Sequence, residues 1–373
     1  MNPFLINDYI SPEYFCDREV ETKTLITNIL NQSNTAFFAQ RRIGKTALIK
    51  HLFFLLKQKK YTTLYIDIYG SRNLKEFTNQ LANAIYQSSP QNKTVARKFL
   101  EAIKLLRPII SIDEFTGSPQ LSLDISLQRQ YEKTIQQLFL FLENQNTKTV
   151  IAIDEFQQIL NYPEKNIEAL LRTAIQPLKN VHFIFCGSHQ DMMHTIFNSA
   201  KRPFYASSKS INLQKINPEI YSSFIKKLFE KHKRKITNEA ITCILELSHH
   251  HTYYTQRLCH DIFASEINKI TPQEVLLIAN KILIENEGIY FQYRNLLTNM
   301  QWNVLKAIAH EQYVYKPYSK IFIFNHQLGT PALVKRSLES LLEKEMIFYN
   351  ASVEQSYYEV YDKFLLLWLR KMK

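Results

Sequence analysis

The chain has 373 residues, of which only six are glycine, and 45% of its residues are hydrophobic and 21% charged. This apolar content is enough to close a core, which excludes disordered, collagen-like and low-complexity proteins. Lys and Arg outnumber Asp and Glu by 46 to 34, and the net charge of +12 favours contact with polyanions without specifying which one. The length predicts two or three domains.

The four cysteines lie far apart in the sequence, and no two of them have the C-x-x-C spacing of a zinc site or a redox motif. The sequence also lacks a run of about 18 uncharged apolar residues, the length that a membrane-spanning helix needs. We therefore expect reduced thiols, a cytoplasmic location and no membrane partner.

Strand and helix patterns alternate in the N-terminal part of the chain. An apolar strand at 35–39 ends in a polar loop, and apolar residues recur at helical spacing from Lys45 onward. A second strand at 63–68 precedes a helix at about 74–87. Because strands that are separated by helices pair in parallel, this alternation predicts an α/β domain with a parallel sheet.

The alternation continues after an insertion. Between residues 108 and 123, two alternating stretches flank a Gly-Ser-Pro sequence and predict a hairpin before a helix at about 126–144. Further strands are predicted at 149–153, 181–186 and near 208–213. The first two of these are almost wholly apolar, which is typical of central strands that are covered on both faces.

The remainder of the chain is mainly helical. Helices are predicted at 218–232, 237–248, 252–268, 272–286, 301–310 and 330–343, and strands at 346–352 and 356–362. Helices followed by a two-stranded hairpin are the winged-helix order, in which Lys335 and Arg336 would lie on the recognition helix. We expect an α/β domain at 1–215, a helical lid at 216–288 and a winged helix at 289–373, with Gly288 between the last two.

The loop after the first strand matches a phosphate-binding motif. Ala39–Thr46 fits G-x-x-x-x-G-K-[ST] at every position but the first, where alanine would be strained by about 1–2 kcal/mol only if its φ were positive. In such a loop backbone N–H groups and the helix N terminus hold phosphates, the lysine reaches the β- and γ-phosphates, and the hydroxyl binds Mg²⁺. The residues expected to contact the nucleotide here are Gln40, Arg41, Arg42, Ile43, Gly44, Lys45, Thr46 and Ala47.

Two acids, Asp154 and Glu155, follow the apolar strand at 149–153. An aspartate at this position can hold Mg²⁺ together with Thr46, while the glutamate can polarise the water that attacks the γ-phosphate. An acidic strand end is common by itself. Its position downstream of a phosphate-binding loop favours the functional interpretation.

Gly187, Ser188 and His189 end the next central strand and allow two interpretations. In the first, Ser188 or His189 has a catalytic role and senses the γ-phosphate or the attacking water. In the second, Ser188 and Asp191 form a capping box for the following helix. Both interpretations stay open on the sequence alone.

Four arginines could contact a γ-phosphate in their own chain or in a neighbouring one, and for each a surface role is the commoner alternative. They are Arg41, Arg42, Arg172 and Arg202. Without an assigned arginine finger, the sequence demands neither a ring nor a monomer, so an oligomer stays possible.

These motifs resemble the prokaryotic and archaeal ATPase family within the STAND branch of AAA+-type P-loop NTPases. The family carries an F-x-G-R-E-x-E box before the first strand, which residues 15–21 match with Asp17 in place of glycine. The resemblance implies a P-loop three-layer sandwich, a helical lid, a C-terminal winged helix and an adenine contact near Arg18. It extends over nearly the whole chain.

The chain also departs from the family pattern. Family members have Gly-Arg where this sequence has Ala206 and Ser207, so the arginine that contacts a nucleotide phosphate is missing. A lid motif that resembles G-x-P-x-Y lacks its glycine and proline within 249–254. Together with Ala39, these departures predict that ATP is bound but hydrolysed slowly.

The leading hypothesis is an ATP-binding, Mg²⁺-dependent switch in which slow hydrolysis repositions the lid and the winged helix. The alternative is a scaffold that binds double-stranded DNA or docks a protein partner, with ATP or ADP in a structural role. From residue 289 onward the chain has eleven basic and seven acidic residues, and the predicted wing contains four tyrosines. This composition fits a protein partner at least as well as DNA.

Overall fold

The computed structural model of the chain describes residues 1–6, 9–88, 93–104, 107–114, 117–123, 128–350 and 355–372. The chain divides into two compact units. One comprises Tyr9–Gln214, and the other combines Met1–Asp8 with Lys215–Lys373.

The Tyr9–Gln214 unit contains a five-stranded sheet in which all paired strands are parallel. Its strands are β1 (Thr35–Ala39), β2 (Thr62–Asp67), β5 (Thr149–Asp154), β6 (Val181–Gly187) and β7 (Lys209–Leu213), in the order β2-β5-β6-β1-β7. Every residue of β1, β5 and β6 is buried, because these strands are central and covered on both faces. The predicted parallel sheet is confirmed.

Helices cover both faces of this sheet. They are α1 (Glu19–Leu30), α2 (Lys45–Gln58), α3 (Leu74–Gln87), α4 (Lys93–Ala102), α5 (Gln128–Glu143), α6 (Ile167–Ile175) and α7 (Gln190–Asn198). One core cluster joins α3 and α5 to the sheet, and a second joins α1 and α2 to it. The unit is therefore the expected three-layer sandwich.

The expected hairpin is present as β3 (Pro108–Ile112) and β4 (Pro119–Leu123), which pair antiparallel. The sequence patterns did not predict α1, α4 or α6. In α1 the buried positions include Thr22 and Asn28, so its apolar stripe is narrow and weakens the helical signal. The first two residues of the helix predicted at about 126–144 lie outside the described residues.

The second unit begins with a helical region. Its elements are α8 (Pro218–Lys231), β8 (Lys235–Ile236), α9 (Asn238–Leu247), α10 (Thr252–Ala264), β9 (Lys269–Ile270) and α11 (Pro272–Leu296). Four helices were predicted here, but α11 runs ten residues past its expected end. Gly288 therefore lies inside a helix and not at a junction, where it costs about 1 kcal/mol relative to alanine.

A winged-helix arrangement follows, as predicted. It consists of α12 (Asn299–Glu311), α13 (Lys320–Asn325), α14 (Pro331–Glu343), the antiparallel pair β10 (Ile347–Asn350) and β11 (Tyr357–Val360), and α15 (Lys363–Lys371). The sequence patterns missed α13 and α15. The domain limits proposed from the sequence stay a prediction.

A buried ion pair lies within this second unit. The ammonium group of Lys363 donates to Glu359 Oε2 at 2.8 Å and to the Val360 carbonyl at 2.7 Å. Both charged side chains are at most 1% exposed. His249 hydrogen-bonds through Nδ1 to the Tyr313 hydroxyl at 3.1 Å. Among the described residues, no helix is both long and apolar enough to cross a lipid bilayer.

Candidate nucleotide-binding site

The loop between β1 and α2 has the backbone of an anion-binding site. Gly44 adopts a left-handed conformation with φ of 101° and precedes the first residue of α2, where no side chain caps the helix. The first N–H groups of α2 are therefore available to a negatively charged ligand. Ala39 lies inside β1 and is not among the described residues with positive φ, so the alanine causes no strain.

Two buried donors, one in this loop and one immediately before α1, support a polar ligand. The amide nitrogen of Gln40, in the loop itself, is buried and has no hydrogen-bond partner among the described residues. Arg18 donates through one nitrogen to Glu21 at 2.9 Å, while its other terminal nitrogen is buried without such a partner. Because buried donors are normally satisfied, the phosphate or base acceptors of a nucleotide fit these two groups.

Lys45 lies between the two acids at the end of β5. Its Nζ atom is 2.5 Å from Asp154 Oδ1 and 3.4 Å from Glu155 Oε1. Burial alone would lower the pKa of Lys45, but the two carboxylates outweigh burial and raise it. The structure thus brings Lys45 to two acids, of which Glu155 lies 110 positions away in sequence, and it keeps the lysine charged.

Oxygen donors suited to Mg²⁺ surround Asp154. The Thr46 hydroxyl donates to Asp154 Oδ2 at 3.4 Å, and the Tyr65 hydroxyl donates to the same oxygen at 2.5 Å. Hydroxyl and carboxylate oxygens are the donors that Mg²⁺ prefers, and it typically takes one or two carboxylates plus phosphate oxygens. The residues present therefore fit this metal. Burial and the charge of Asp154 raise the pKa of Tyr65, which keeps its phenol protonated as a donor.

Glu155 is held by donors from two other segments. Its Oε2 atom accepts hydrogen bonds from Ser188 Oγ at 2.7 Å and from Gln157 Nε2 at 2.6 Å. Burial would raise the pKa of Glu155, but Lys45 and these two donors lower it. The carboxylate is therefore ionised, as a residue that polarises water must be.

Ser188 does not form the capping box that one interpretation of the sequence suggested. Helix α7 begins at Gln190, its N-cap residue is His189, and no side chain caps it. The hydroxyl of Ser188 donates to Glu155 instead. The capping interpretation is wrong, while the catalytic roles of Ser188 and His189 stay predictions.

Gly187 allows the close packing beside Glu155. A Cβ atom at this position would lie 2.4 Å from Met193 Cγ and 2.5 Å from Gln157 Oε1. Real Cβ atoms do not approach other atoms so closely. Glycine is therefore required by the neighbours of Glu155 and not by its own φ.

Sequence patterns did not identify Tyr65 or Gln157. Tyr65 lies in β2 opposite Ala152 of β5, so the pairing of these strands brings its ring to the end of β5. Gln157 follows Glu155 by two residues and is 4% exposed. A buried glutamine immediately after the two acids is the signal by which it could have been found.

Three non-glycine residues within the family motifs adopt positive φ angles, as glycine readily does. Asp17 has φ of 59° and Ala206 has φ of 50°, and His250 in the lid motif has φ of 55°. Each residue adopts the left-handed region that glycine would favour, at a cost of about 1 kcal/mol or more. These positions therefore have the conformation that glycine favours although none of them is glycine.

Two of the candidate arginines contact groups in their own chain. Arg202 donates to Glu168 at 2.7 Å, and Glu168 is largely buried. Arg41 lies over the ring of Tyr69, with 5.8 Å between the guanidinium carbon and the ring centroid. These contacts favour structural roles for both side chains.

Comparison with known families identifies the class of protein that this fold and site define. Residues 15–248 match the model of an ATPase domain predominantly from Archaea, and residues 288–371 match a model described as "Probable winged helix domain". The first match covers more than half of the chain. The protein therefore belongs to this archaeal ATPase family, and membership in the STAND branch stays a prediction.

Solved structures share the fold over nearly the full chain. A Walker-type ATPase of Pyrococcus abyssi is 17% identical with a TM-score of 0.66, and the match covers 99% of both chains. The ORC2 protein of Aeropyrum pernix, solved as ADPNP-ADP complexes, is 14% identical with a TM-score of 0.59 and covers 99% of this chain and 96% of its own. At these identities the likeness shows the fold alone. No match was found among curated proteins.

Proposed function

We propose that the protein is an ATP-dependent molecular switch that hydrolyses ATP slowly. The observation that carries this proposal is the position of Lys45, within ion-pair distance of both Asp154 and Glu155 at the start of an uncapped helix. In such an arrangement the lysine binds the phosphates of a nucleoside triphosphate, and the acids lie beside them to hold Mg²⁺ and water. The family match to an ATPase domain supports it.

Each side chain has a distinct role in this proposal. Lys45 holds the β- and γ-phosphates, while the loop from Gln40 to Gly44 and the N terminus of α2 hold phosphate oxygens. Thr46 and Asp154 hold Mg²⁺, which when bound neutralises charge on the β- and γ-phosphates. Glu155 orients and polarises the attacking water, and Ser188 responds to the γ-phosphate.

The hydrogen bonds of Glu155 support slow turnover. A carboxylate that polarises water must direct a lone pair at it, but Oε2 of Glu155 already accepts from Ser188 and Gln157. Hydrogen bonds to a charged group contribute about 1.5–3 kcal/mol each, so reorienting the carboxylate has a considerable cost. In this proposal a change of nucleotide state is transmitted to the helical region at 216–288 and the winged helix at 289–373.

The test separates binding from hydrolysis. Lys45→Ala is expected to abolish ATP binding measured by calorimetry, while Glu155→Gln keeps binding and stops phosphate release. Lys57→Ala, which removes an exposed lysine from the same helix, is the matched control and should bind ATP like the wild type. ATP affinity that is unchanged by Lys45→Ala would refute the proposal.

A second candidate function, protein docking through the winged helix, has its own supporting observation. Ile321 is 75% exposed, Phe324 83% and Leu333 44%, so the surface that includes α13 and the start of α14 is apolar. Lys335 and Arg336 are the exposed basic residues of α14. An apolar surface suits a protein partner better than DNA, whose binding depends on basic contacts with phosphates. Tight binding of double-stranded DNA that weakens steeply with salt would contradict this assignment.

A further inference from the structure

A stripe of exposed apolar side chains runs along α11. Leu277 is 62% exposed, Ile284 72% and Phe291 49%, and the three are spaced seven residues apart. Seven residues fall about 20° short of two full helical turns, so the three side chains share one face over about 21 Å. An open groove on this face is lined by Leu276, Leu277, Asn280, Lys281, Ile284 and Glu285.

This spacing is the repeat of helices that pack side by side. Apolar residues at a seven-residue interval lie on one seam, along which a second helix can pack. The opposite face of α11 is already occupied, because residues such as Ile278 and Ile282 are buried in the core of the same unit. The stripe is therefore a second apolar face, and its last residue, Phe291, also packs edge-on against Trp368 of α15.

Gly288 is the second observation at this stripe. It lies in the interior of α11, about 40° from Ile284 around the helix axis, and it is exposed. A Cβ atom at this position would have no neighbour within 4 Å, so nothing described within the chain requires glycine here. A glycine in a helix interior costs about 1 kcal/mol relative to alanine, and without a Cβ atom it leaves the backbone open to a closely packed neighbour.

The charges beside the stripe are complementary to those of an identical helix in antiparallel orientation. With Ile284 on the two-fold axis, Leu277 of one copy lies at the level of Phe291 of the second copy. Lys281 and Glu285 lie on the same flank of the seam with opposite charges. Within one chain their charged atoms are 4.0 Å apart, and Glu285 is also 3.9 Å from Arg257, so both pairs are long and exposed enough to rearrange in a dimer. The two-fold axis places Lys281 of each copy within one helical turn of Glu285 of the second copy, and Gly288 leaves room for that lysine.

We propose that α11 is a homodimerisation surface, on which a second copy of this chain packs antiparallel with its own α11. The interface is isologous, because the same residues face each other across the two-fold axis. A seam of about 21 Å is short for a dimer interface, so we expect a dissociation constant of about micromolar. This proposal does not depend on nucleotide binding.

Sedimentation equilibrium of the full chain, without nucleotide, tests the proposal. The wild type should dimerise, and Ile284→Glu should raise the dissociation constant at least about 30-fold, as expected for a central interface residue. Ile289→Glu is the matched control. Ile289 is a 46% exposed isoleucine of the same helix that points about 140° away from the seam, and its substitution should leave dimerisation unchanged.

Gly288→Gln distinguishes an effect on dimerisation from an effect on the stability of the fold. Glutamine favours a helix more than glycine, so this variant should melt at the same temperature or higher while dimerisation weakens about tenfold or more. Lys281→Glu should also weaken the dimer, and adding Glu285→Lys should restore it, because the exchange recreates the ion pairs between copies. None of these three variants removes apolar surface.

Two results would overturn the proposal. One is a wild-type chain that stays monomeric up to about 100 µM, well above the expected dissociation constant. The other is a dimer that Ile284→Glu leaves intact, or that Ile289→Glu weakens equally, because either would place the interface on another surface.

Discussion

We expect the hydrogen bond from Gln157 to Glu155 to limit the rate of ATP hydrolysis. Gln157 Nε2 lies 2.6 Å from Glu155 Oε2, and the same oxygen accepts from Ser188 Oγ at 2.7 Å. Gln157 is only 4% exposed, so an apolar residue of similar volume preserves its packing. Gln157→Leu removes the amide donor while keeping the bulk.

The magnitude follows from the chemistry of this bond. A hydrogen bond to a charged group contributes about 1.5–3 kcal/mol, and Ser188 still holds the carboxylate in the variant, so the lower end applies. A change of about 1.4 kcal/mol in an activation barrier alters a rate tenfold. We therefore expect kcat to rise about tenfold in Gln157→Leu, with ATP affinity unchanged because Gln157 does not belong to the phosphate-binding loop.

Phosphate release at saturating ATP measures kcat, calorimetry measures ATP affinity, and thermal melting checks the fold. Gln158→Leu is the matched control, because the amide of Gln158 donates to the Ser71 carbonyl at 3.2 Å. It should leave kcat at the wild-type value. If kcat in Gln157→Leu is equal to or below the wild-type value while ATP binding is intact, Gln157 does not restrain Glu155.

Three further predictions concern stability. Lys363→Met should lower the free energy of unfolding by about 3–5 kcal/mol, because it leaves Glu359 buried without its partner. Urea unfolding, monitored by circular dichroism, measures this loss. Adding Glu359→Gln should recover most of it. Burial, followed by the charge of Lys363, lowers the pKa of His249 to about 4, so the unfolded chain binds this proton first as the pH falls. Stability should decline by up to about 3 kcal/mol between pH 6.5 and pH 4, and His249→Asn should remove that part of the slope. Gly187→Ala should lower the melting temperature, because the added Cβ crowds Met193. Gly70→Ala is the control and should leave the melting temperature unchanged, since no atom lies within 4 Å of the added Cβ. Equal effects of the two substitutions would contradict the packing argument.

Local patterns in the sequence were sufficient to predict most of the fold. The apolar runs that form β5 and β6 are visible without any tertiary information, because strands covered on both faces need nearly every side chain to be apolar. The phosphate-binding loop is equally local, since its function depends on consecutive backbone N–H groups and the helix that follows. Lys45, Thr46, Asp154 and Glu155 could therefore be chosen as candidates from the sequence.

Helix limits were predicted less well where local signals competed. Gly288 is a poor helix former and suggested a junction, yet α11 continues to Leu296 because tertiary packing of its apolar face outweighs the cost of one glycine. The short helices α13 and α15 consist of nearly continuous apolar runs, and over six to nine residues such runs cannot be told from strands by their periodicity.

Only the tertiary structure decided which side chains surround the two acids. Tyr65 reaches Asp154 because β2 pairs with β5 in a particular register, and Ser188 reaches Glu155 because β6 lies on the other side of β5. Strand order and register are set by the packing of the whole sheet, so no short stretch of sequence specifies them. The sequence by itself determined the type of fold and the residues that carry charge at the site, while the partners that hold those charges depend on contacts between distant segments.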